Sequence, residues 1–474
     1  MKKLAKKSVF SKIKEIDVGI VDTELEEALS NLNKKIIVLD DDPTGIQTVH
    51  DISVYTDWST ESIAAGFAEE QPMFFILTNS RALTVEQTRM VHKEIAENIV
   101  AESKKCGKNF IIISRGDSTL RGHYPLETQI LKETLEAASA IRFDGEVLIP
   151  FFKEGGRFTI DNVHYVQESQ TLVPVGETEF AKDKTFSFAA SELGEYIEEK
   201  TEGSYKAADT TYITLEDLRN LKIPEISRQL LAVKEFNKVI VNAVDYVDVK
   251  IFTIALLQVI AQGKNFMFRT AAAFTKVIGG LNDQELLNKA DLVAKGNKNG
   301  GLIIVGSHVE KTTHQLAELQ KCTDIRFFEF NQGLVVEPEQ LETAIQSIIV
   351  ETEKYLKRGE TVTIFTGRKR LDAGTEEESL RLSVKISAAL TAIVQRLSVQ
   401  PSFLIAKGGI TSSDVGTKGL NVKKARVMGQ VKPGVPVWLT GQEAKFANMP
   451  YIIFPGNVGG IMTLREVVEM LNNQ

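Results

Sequence analysis

Three consecutive carboxylates, Asp40-Asp41-Asp42, followed by Pro43-Thr44-Gly45, stand directly after the apolar run IIVL. Adjacent carboxylates repel one another, so such a triplet needs a cation, an arginine or a shared proton to be tolerable. The plainer reading is an acidic turn in which Asp42-Pro43-Thr44-Gly45 caps and bends the chain. A solvated turn gains nothing from three adjacent charges, which favours a functional role. Thr78-Asn79-Ser80-Arg81 takes the same place after MFFIL, and Ser114-Arg115-Gly116-Asp117-Ser118-Thr119-Leu120-Arg121-Gly122 takes it after FIII. Arginine recognises a carboxylate or phosphate through a planar fork, so Arg81, Arg115 and Arg121 beside Asp42 and Asp117 suggest a small acidic substrate. Taken singly, each arginine reads better as a surface ion pair, and Asp117-Ser118 reads equally as a helix N-cap. The recurrence of such clusters after three neighbouring strands tips the balance. A weaker fourth cluster, Phe151-Phe152-Lys153-Glu154-Gly155-Gly156-Arg157, follows EVLIP, and its glycine pair reads equally as a simple turn.

The second half carries glycine where the first carries charge. Gly306-Ser307-His308 follows LIIV, Thr366-Gly367-Arg368 follows TIF, Ala406-Lys407-Gly408-Gly409-Ile410-Thr411-Ser412 follows SFLI, and Phe454-Pro455-Gly456-Asn457-Val458-Gly459-Gly460 lies near the C-terminus. Glycine lets backbone N–H groups approach phosphate oxygens, and a helix starting at Thr411 would aim its positive end at them. One such turn is weak; four in one half favour a nucleotide site.

The elements that must position these residues follow from the apolar pattern. Short apolar runs at 34–40, 72–78, 109–115, 145–151, 237–243, 300–306, 361–367 and 402–408 alternate with longer amphipathic stretches such as 85–105. That is the pattern of a mainly parallel sheet covered by helices, in which ligands sit beyond the carboxyl ends of the strands. The fold class expected is α/β, with two α/β domains, each a mainly parallel or mixed sheet flanked by helices, and the active site in the cleft between them. The Gly/Asn/Lys-rich stretch 290–301 is the boundary candidate, giving a charged leader helix at 1–33, a first domain at 34–290 and a second at 300–474. In 429–441, Pro433 and Pro436 around Gly434 suggest a bend followed by an exposed or edge strand.

The composition bounds the partners. Of 474 residues, 56 are basic and 63 acidic, a formal net charge of −7 with no long block of either sign, which argues against nucleic acid and anionic membranes. The longest apolar stretch, 251–261, is interrupted by Thr253 and Gln258 and is too short for a membrane span. SKIKEID follows the basic start where a signal peptide would need an apolar core, so a cytoplasmic location is expected. Cys106 and Cys322 read as inert packing residues, and His308 and His314 would fall on different faces of a helix, which discounts a metal pair. P-loop, dinucleotide-binding, zinc-protease, nucleophile-elbow and protein-kinase signatures are all missing.

Read together and in order, DDPTG at 41–45, TNSRAL at 78–83, GDSTLRG at 116–122, FFKEGGR at 151–157, GETEFAKD at 176–183, VGSHVEKTTHQL at 305–316, AKGGITSSDVG at 406–416, KPGVP at 432–436 and PGNVGG at 455–460 resemble the four-carbon acid sugar kinase family, formerly a family of unknown function. The resemblance implies an ATP-dependent kinase phosphorylating a terminal hydroxyl of a tetronate such as threonate or erythronate, with ATP and Mg²⁺ as cofactors. It implies that the first domain holds the acid sugar through Asp41, Asp42, Arg81, Asp117, Ser118 and Arg121. It places Ser307, Gly408, Gly409, Ile410, Thr411 and Gly456 around ATP. The chain departs from the usual family pattern at Ile410, where an acidic residue is common, at PGNVGG, and in its third aspartate.

Phosphoryl transfer asks a protein mostly for positioning and charge neutralisation. An arginine pair would anchor the substrate carboxylate while Asp42 or Asp117 accepts the hydroxyl proton, the sequence leaving that choice open, and the two halves are expected to close over the ligands. Two alternatives stand beside this: a haloacid-dehalogenase-type phosphohydrolase using Asp40-x-Asp42, and a catalytically silent nucleotide and acid-sugar sensor. A homo-oligomer remains open.

Overall fold

The computed structural model describes residues 3–293, 296–368, 376–456 and 458–472. Residues 294 and 295 of the expected linker, and Asn457 of the last glycine-rich turn, lie outside the described residues. The chain divides into two compact α/β units, 1–283 and 284–474.

The first unit is built on an eight-stranded, all-parallel sheet. Its order is Thr211–Ile213, Asn237–Val241, Gly145–Ile149, Phe266–Thr270, Phe110–Arg115, Lys35–Asp40, Met73–Leu77 and Ser53–Tyr55. Strands covered on both faces read as near-continuous apolar runs: every residue of Lys35–Asp40, Met73–Leu77 and Phe110–Arg115 is buried, and polar residues enter at the strand ends. Helix Val85–Cys106 starts at a Thr84/Gln87 capping box and buries Ile95, Ile99 and Val100 against this sheet. Its last residue, Cys106, is exposed, and Cys322 is half-buried, so neither is a fully packed core thiol.

Residues 1–33 do not form one helix. Leu4–Ala5 is a short strand paired with Leu172 and Thr171, Lys6–Phe10 is a short helix, and a second helix, Val18–Ser30, is capped by Asp17. The Asp17 carboxylate accepts from the Gly19 amide at 3.0 Å, which starts the second helix afresh and breaks continuity with the first. Val21 and Leu25 are buried, and Asp22 pairs with Lys250 of helix Tyr246–Ala261. The leader is thus part of the first unit. The edge strand Leu4–Ala5 completes a small antiparallel sheet with Thr171–Pro174, Val163–Glu168 and Arg157–Ile160.

The second unit has a mixed sheet. Ile325–Phe330, Thr361–Thr366, Leu302–Val305, Leu404–Lys407 and Pro450–Phe454 run parallel, and Val435–Thr440 and Lys424–Lys432 continue antiparallel. Val435–Thr440 is therefore neither exposed nor an edge: it pairs on both sides, and Val435, Val437 and Trp438 are fully buried. Pro436, which suggested an edge, is accommodated opposite Gln430 beside a register shift in the ladder, where a missing N–H is tolerated.

Candidate functional site

In both sheets the chain leaves a central strand, builds outward on one side, and returns to the other side of it. In the first unit this happens at Lys35–Asp40, between Met73–Leu77 and Phe110–Arg115; in the second at Leu302–Val305, between Thr361–Thr366 and Leu404–Lys407. Such reversals open a crevice at the carboxyl ends of the strands. The two motif sets read from the sequence fall at these two points.

In the first unit, the carboxylates and arginines form one buried network. Arg81 Nη2 lies 2.8 Å from Asp42 Oδ2 and 3.3 Å from Asp41 Oδ1, and Arg81 Nη1 lies 3.7 Å from Asp117 Oδ1. Arg115 Nη1 reaches Asp40 Oδ1 at 3.1 Å and Asp41 Oδ1 at 3.5 Å. Arg121 Nε donates to Asp117 Oδ2 at 2.7 Å. Asp41, Asp42, Arg81, Asp117 and Arg121 are thus brought together. Ser118 is buried beside them, its carbonyl accepting from His164 Nε2 at 2.8 Å.

The same surroundings drive these carboxyls apart in acidity. Burial raises Asp40 to about 7, with Asp41 and Asp42 adding to the rise and Arg115 opposing it. Burial raises Asp41 to about 6 against the pull of Arg81, Arg115 and Arg269. Burial also opposes charge on Asp42, but Arg81 and the Thr44 hydroxyl and amide, at 2.5 and 2.8 Å, outweigh it and hold this carboxyl low. Asp117 is likewise held well below the carboxylate range: Arg121, Arg81 and the Thr119 hydroxyl overcome its burial. Within this network Asp41 Oδ2 is buried and has no hydrogen-bond partner among the described residues. Gly122, at φ +127°, passes beside it; a Cβ there would stand 3.4 Å from Asp41 Oδ2 and 2.6 Å from Arg269 Nη2.

Arg269 and Glu127 are the residues that sequence reading missed. Arg269 Nη1 donates to Ser114 Oγ at 3.0 Å and pairs with Glu127, whose other oxygen accepts from Ser80 Oγ at 2.5 Å. Arg269 lies at the carboxyl end of Phe266–Thr270, so the strand-end rule that found Asp40 and Arg115 would have found it. The five-residue run FMFRT follows Lys264-Asn265 and is too short and too charged to stand out.

In the second unit, Gly306, Ser307, Gly408, Gly409, Ile410 and Thr411 line a cleft of about 240 Å³ together with His308, Ile386 and Leu390. Its floor has no room for side chains. A Cβ on Gly306 would lie 2.2 Å from Thr411 Oγ1, and one on Gly408, at φ +125°, 2.9 Å from Ser307 Cβ. Gly456 closes on Ser307 from the other side, where a Cβ would be 3.0 Å from Ser307 Oγ. The helix expected from Thr411 begins at Gly409 and is a single short stretch, Gly409–Asp414. Ile410 is 52% exposed, an apolar side chain presented at the cleft. Arg368 Nη2 donates to the Ser307 carbonyl at 2.6 Å, and the fully buried Lys407 donates to the Pro455 carbonyl at 2.5 Å. Among the described residues no group of three histidine, cysteine or carboxylate side chains is placed to hold a metal ion; the aspartates at 40–42 are engaged by Arg81 and Arg115 instead.

Fold and sites together define a two-module α/β protein, with a buried network of carboxylates and arginines at the strand ends of one unit and a glycine-floored cleft at those of the other. Residues 36–278 match the model of a sugar-binding N-terminal domain, and residues 302–464 that of a nucleotide-binding C-terminal domain. The chain belongs to the four-carbon acid sugar kinase family. Similar solved structures include a Haemophilus influenzae protein of the DUF1537 family, at 16% identity and TM-score 0.59, covering 92% of this chain and 100% of that one. A Salmonella typhimurium protein provisionally described as a tRNA synthase, at 15% identity and TM-score 0.67, covers 91% and 98%. At such identities these likenesses speak for the fold alone. No curated protein matches the chain. Among the described residues no helix is long and apolar enough to cross a membrane.

Proposed function

We propose that the protein is an ATP-dependent kinase that phosphorylates a terminal hydroxyl of a four-carbon acid sugar of the threonate or erythronate type. The observation that carries this reading is Asp41: a buried carboxyl raised to about 6, with one oxygen committed to two arginines and the other without a partner among the described residues. A general base needs a free lone pair and a proton affinity near the working pH. Asp42 and Asp117, the two candidates from sequence, are held in the ionised form by Arg81, Thr44, Arg121 and Thr119, which makes them weaker acceptors and better anchors. Asp41 Oδ2 takes the hydroxyl proton as the substrate oxygen bonds to the γ-phosphorus; the bond between that phosphorus and the β,γ-bridging oxygen breaks, and ADP leaves with its electron pair.

The glycine floor at Gly306, Gly408 and Gly456 suits phosphate oxygens approached by backbone, and Ile386, Leu390 and Ile410 offer an apolar wall to a nucleobase. Mg²⁺ characteristically rides on substrate phosphates with few protein ligands, and would supply charge neutralisation there. A phosphohydrolase acting through Asp40 is disfavoured, since that carboxyl is paired with Arg115 and covered by Gly45, where a Cβ would lie 2.0 Å from Asp40 Oδ1.

The test is ADP release with Mg²⁺ and ATP across a panel of four-carbon acids. It is run on wild type, Asp41→Asn, Asp42→Asn and Asp117→Asn. ADP from at least one tetronate, abolished by Asp41→Asn, supports the kinase. Phosphate release from a phosphorylated acid sugar without ATP would replace it with the hydrolase, and calorimetric binding of both ligands with no ADP would replace it with the sensor.

A further inference from the structure

Two motifs have no part in the mechanism so far, FFKEGGR at 151–157 and GETEFAKD at 176–183. The structure brings them to the Asp117 loop. Arg157 begins strand Arg157–Ile160, and Phe180 lies in the one-turn helix Glu179–Lys182. The guanidinium carbons of Arg121 and Arg157 stand 5.1 and 5.7 Å from the centre of the Phe180 ring. Both cations therefore share one aromatic ring.

Their charges are balanced very differently. Arg121 holds Asp117 at 2.7 Å and lies 3.8 Å from Asp183. Arg81, Arg115 and Arg269 each have a carboxylate of their own in Asp42, Asp40 and Glu127. Arg157 is half-buried; its guanidinium donates to the Gly155 carbonyl, and its buried Nε has no hydrogen-bond partner among the described residues. Among the described residues no carboxylate lies within ion-pair distance of it. Burial lowers its pKa, Asp117 opposes that shift, and Arg121 adds to it. His164, beside it, supplies no negative charge: burial pushes this imidazole down to about 4, with Nδ1 accepting from Thr159 and Nε2–H bonded to the Ser118 carbonyl. That bond also ties the Asp117–Ser118 loop to the small sheet that carries Arg157.

Two like charges stacked on one ring, one of them without a counter-ion, are tolerable when an anion bridges them. We propose that Arg157 and Arg121, seated on Phe180, are the clamp for the carboxylate of the acid-sugar substrate. The assignment rests on the kinase reading above and changes which arginines recognise the acid, since Arg81 and Arg115 meet Asp40, Asp41, Asp42 and Asp117 through their Nη groups, whereas Arg121 meets Asp117 through Nε. The same pair of oxygens could come from a nucleotide phosphate. The clamp residues lie inside the stretch that matches the sugar-binding domain, 36–278, and outside the nucleotide-binding one, which favours the carboxylate.

The test compares threonate and erythronate with their carboxamides, which keep the hydroxyls and lose the charge. Loss of a charge-assisted hydrogen-bond pair predicts that Arg157→Gln raises KM for the acid about 30-fold. KM for ATP and for the amide should stay within about threefold of wild type, and Arg157→Lys should recover part of the loss. Equal loss on acid and amide, or a shift in KM for ATP instead, overturns the clamp. Phe180→Leu is the second variant: it should raise KM for the acid and leave the amide unchanged, and no change in either overturns the clamp even if Arg157→Gln fails to fold. If wild type makes no ADP from any four-carbon acid, the kinase reading falls by itself. Calorimetric titration of threonate and erythronate then judges the clamp: binding to wild type that weakens about 30-fold in Arg157→Gln retains it, and equal binding or none overturns it.

Discussion

Replacing Lys407 by methionine should stabilise the second unit and impair the turn that the lysine serves. Lys407 is fully buried at the end of Leu404–Lys407, its ammonium 4.1 Å from the Phe454 ring centre and bonded to the Pro455 carbonyl. Burial, aided by Lys311, lowers it from 10.5 to about 7. An unfolded chain keeps the proton up to 10.5 while the folded one releases it near 7, so stability rises with pH between these values and the lysine is most costly below pH 7. At about 1.4 kcal/mol per pH unit the full cost is about 5 kcal/mol. Methionine removes that cost but leaves the Pro455 carbonyl without its donor, worth about 1–2 kcal/mol. A net gain of about 3 kcal/mol at pH 7 would raise the melting temperature of a unit this size by roughly 6–12 °C. Thermal melts of wild type and Lys407→Met from pH 6.5 to 10 should show this advantage shrinking steadily as pH rises. An advantage that stays constant, or a destabilised variant at pH 7, would refute the reasoning. The variant should also bind nucleotide more weakly, because Lys407 fixes the carbonyl that leads into the Gly456 turn against Ser307. A charge kept in the interior at such cost is what function, and not stability, selects.

Asp41→Asn should lower kcat by about 10²–10⁴. In wild type kcat/KM should fall as pH drops through about 6, since the base is active only when ionised and burial sets its affinity there; a pH–rate profile flat to pH 5 would contradict this. Gly408→Ala places a methyl group 2.9 Å from Ser307 Cβ at φ +125°, a strain of about 1–3 kcal/mol that should weaken nucleotide binding tenfold or more by calorimetry while threonate binding is unchanged. Arg269→Met strands the buried Glu127 and should destabilise the first unit by about 3–5 kcal/mol in denaturant melts, with Glu127→Gln added to it recovering much of the loss.

The strands that end in Asp40, Leu77, Arg115, Val305 and Lys407 were legible because a strand buried on both faces is a near-continuous apolar run, and the change to polar residues then marks its carboxyl end. The same rule located Asp41, Asp42, Arg81, Asp117 and Arg121 in one half and Ser307, Gly408, Gly409, Ile410, Thr411 and Gly456 in the other. Sequence could not show that the leader would break at Asp17 and lend Leu4–Ala5 to a small sheet, because strand pairing over some 167 residues leaves no local trace. Nor could it place Pro436 in an interior strand, since the register shift that excuses its missing N–H belongs to the partner strand. Local pattern determined which residues stand at the strand ends. Only the tertiary structure decided how charge is shared among them: which arginine each aspartate meets, why among the described residues Asp41 keeps an unpartnered oxygen while Asp42 and Asp117 do not, and why no described carboxylate lies within ion-pair distance of Arg157. Burial and distance fix those outcomes, and both arise from residues far apart in the chain.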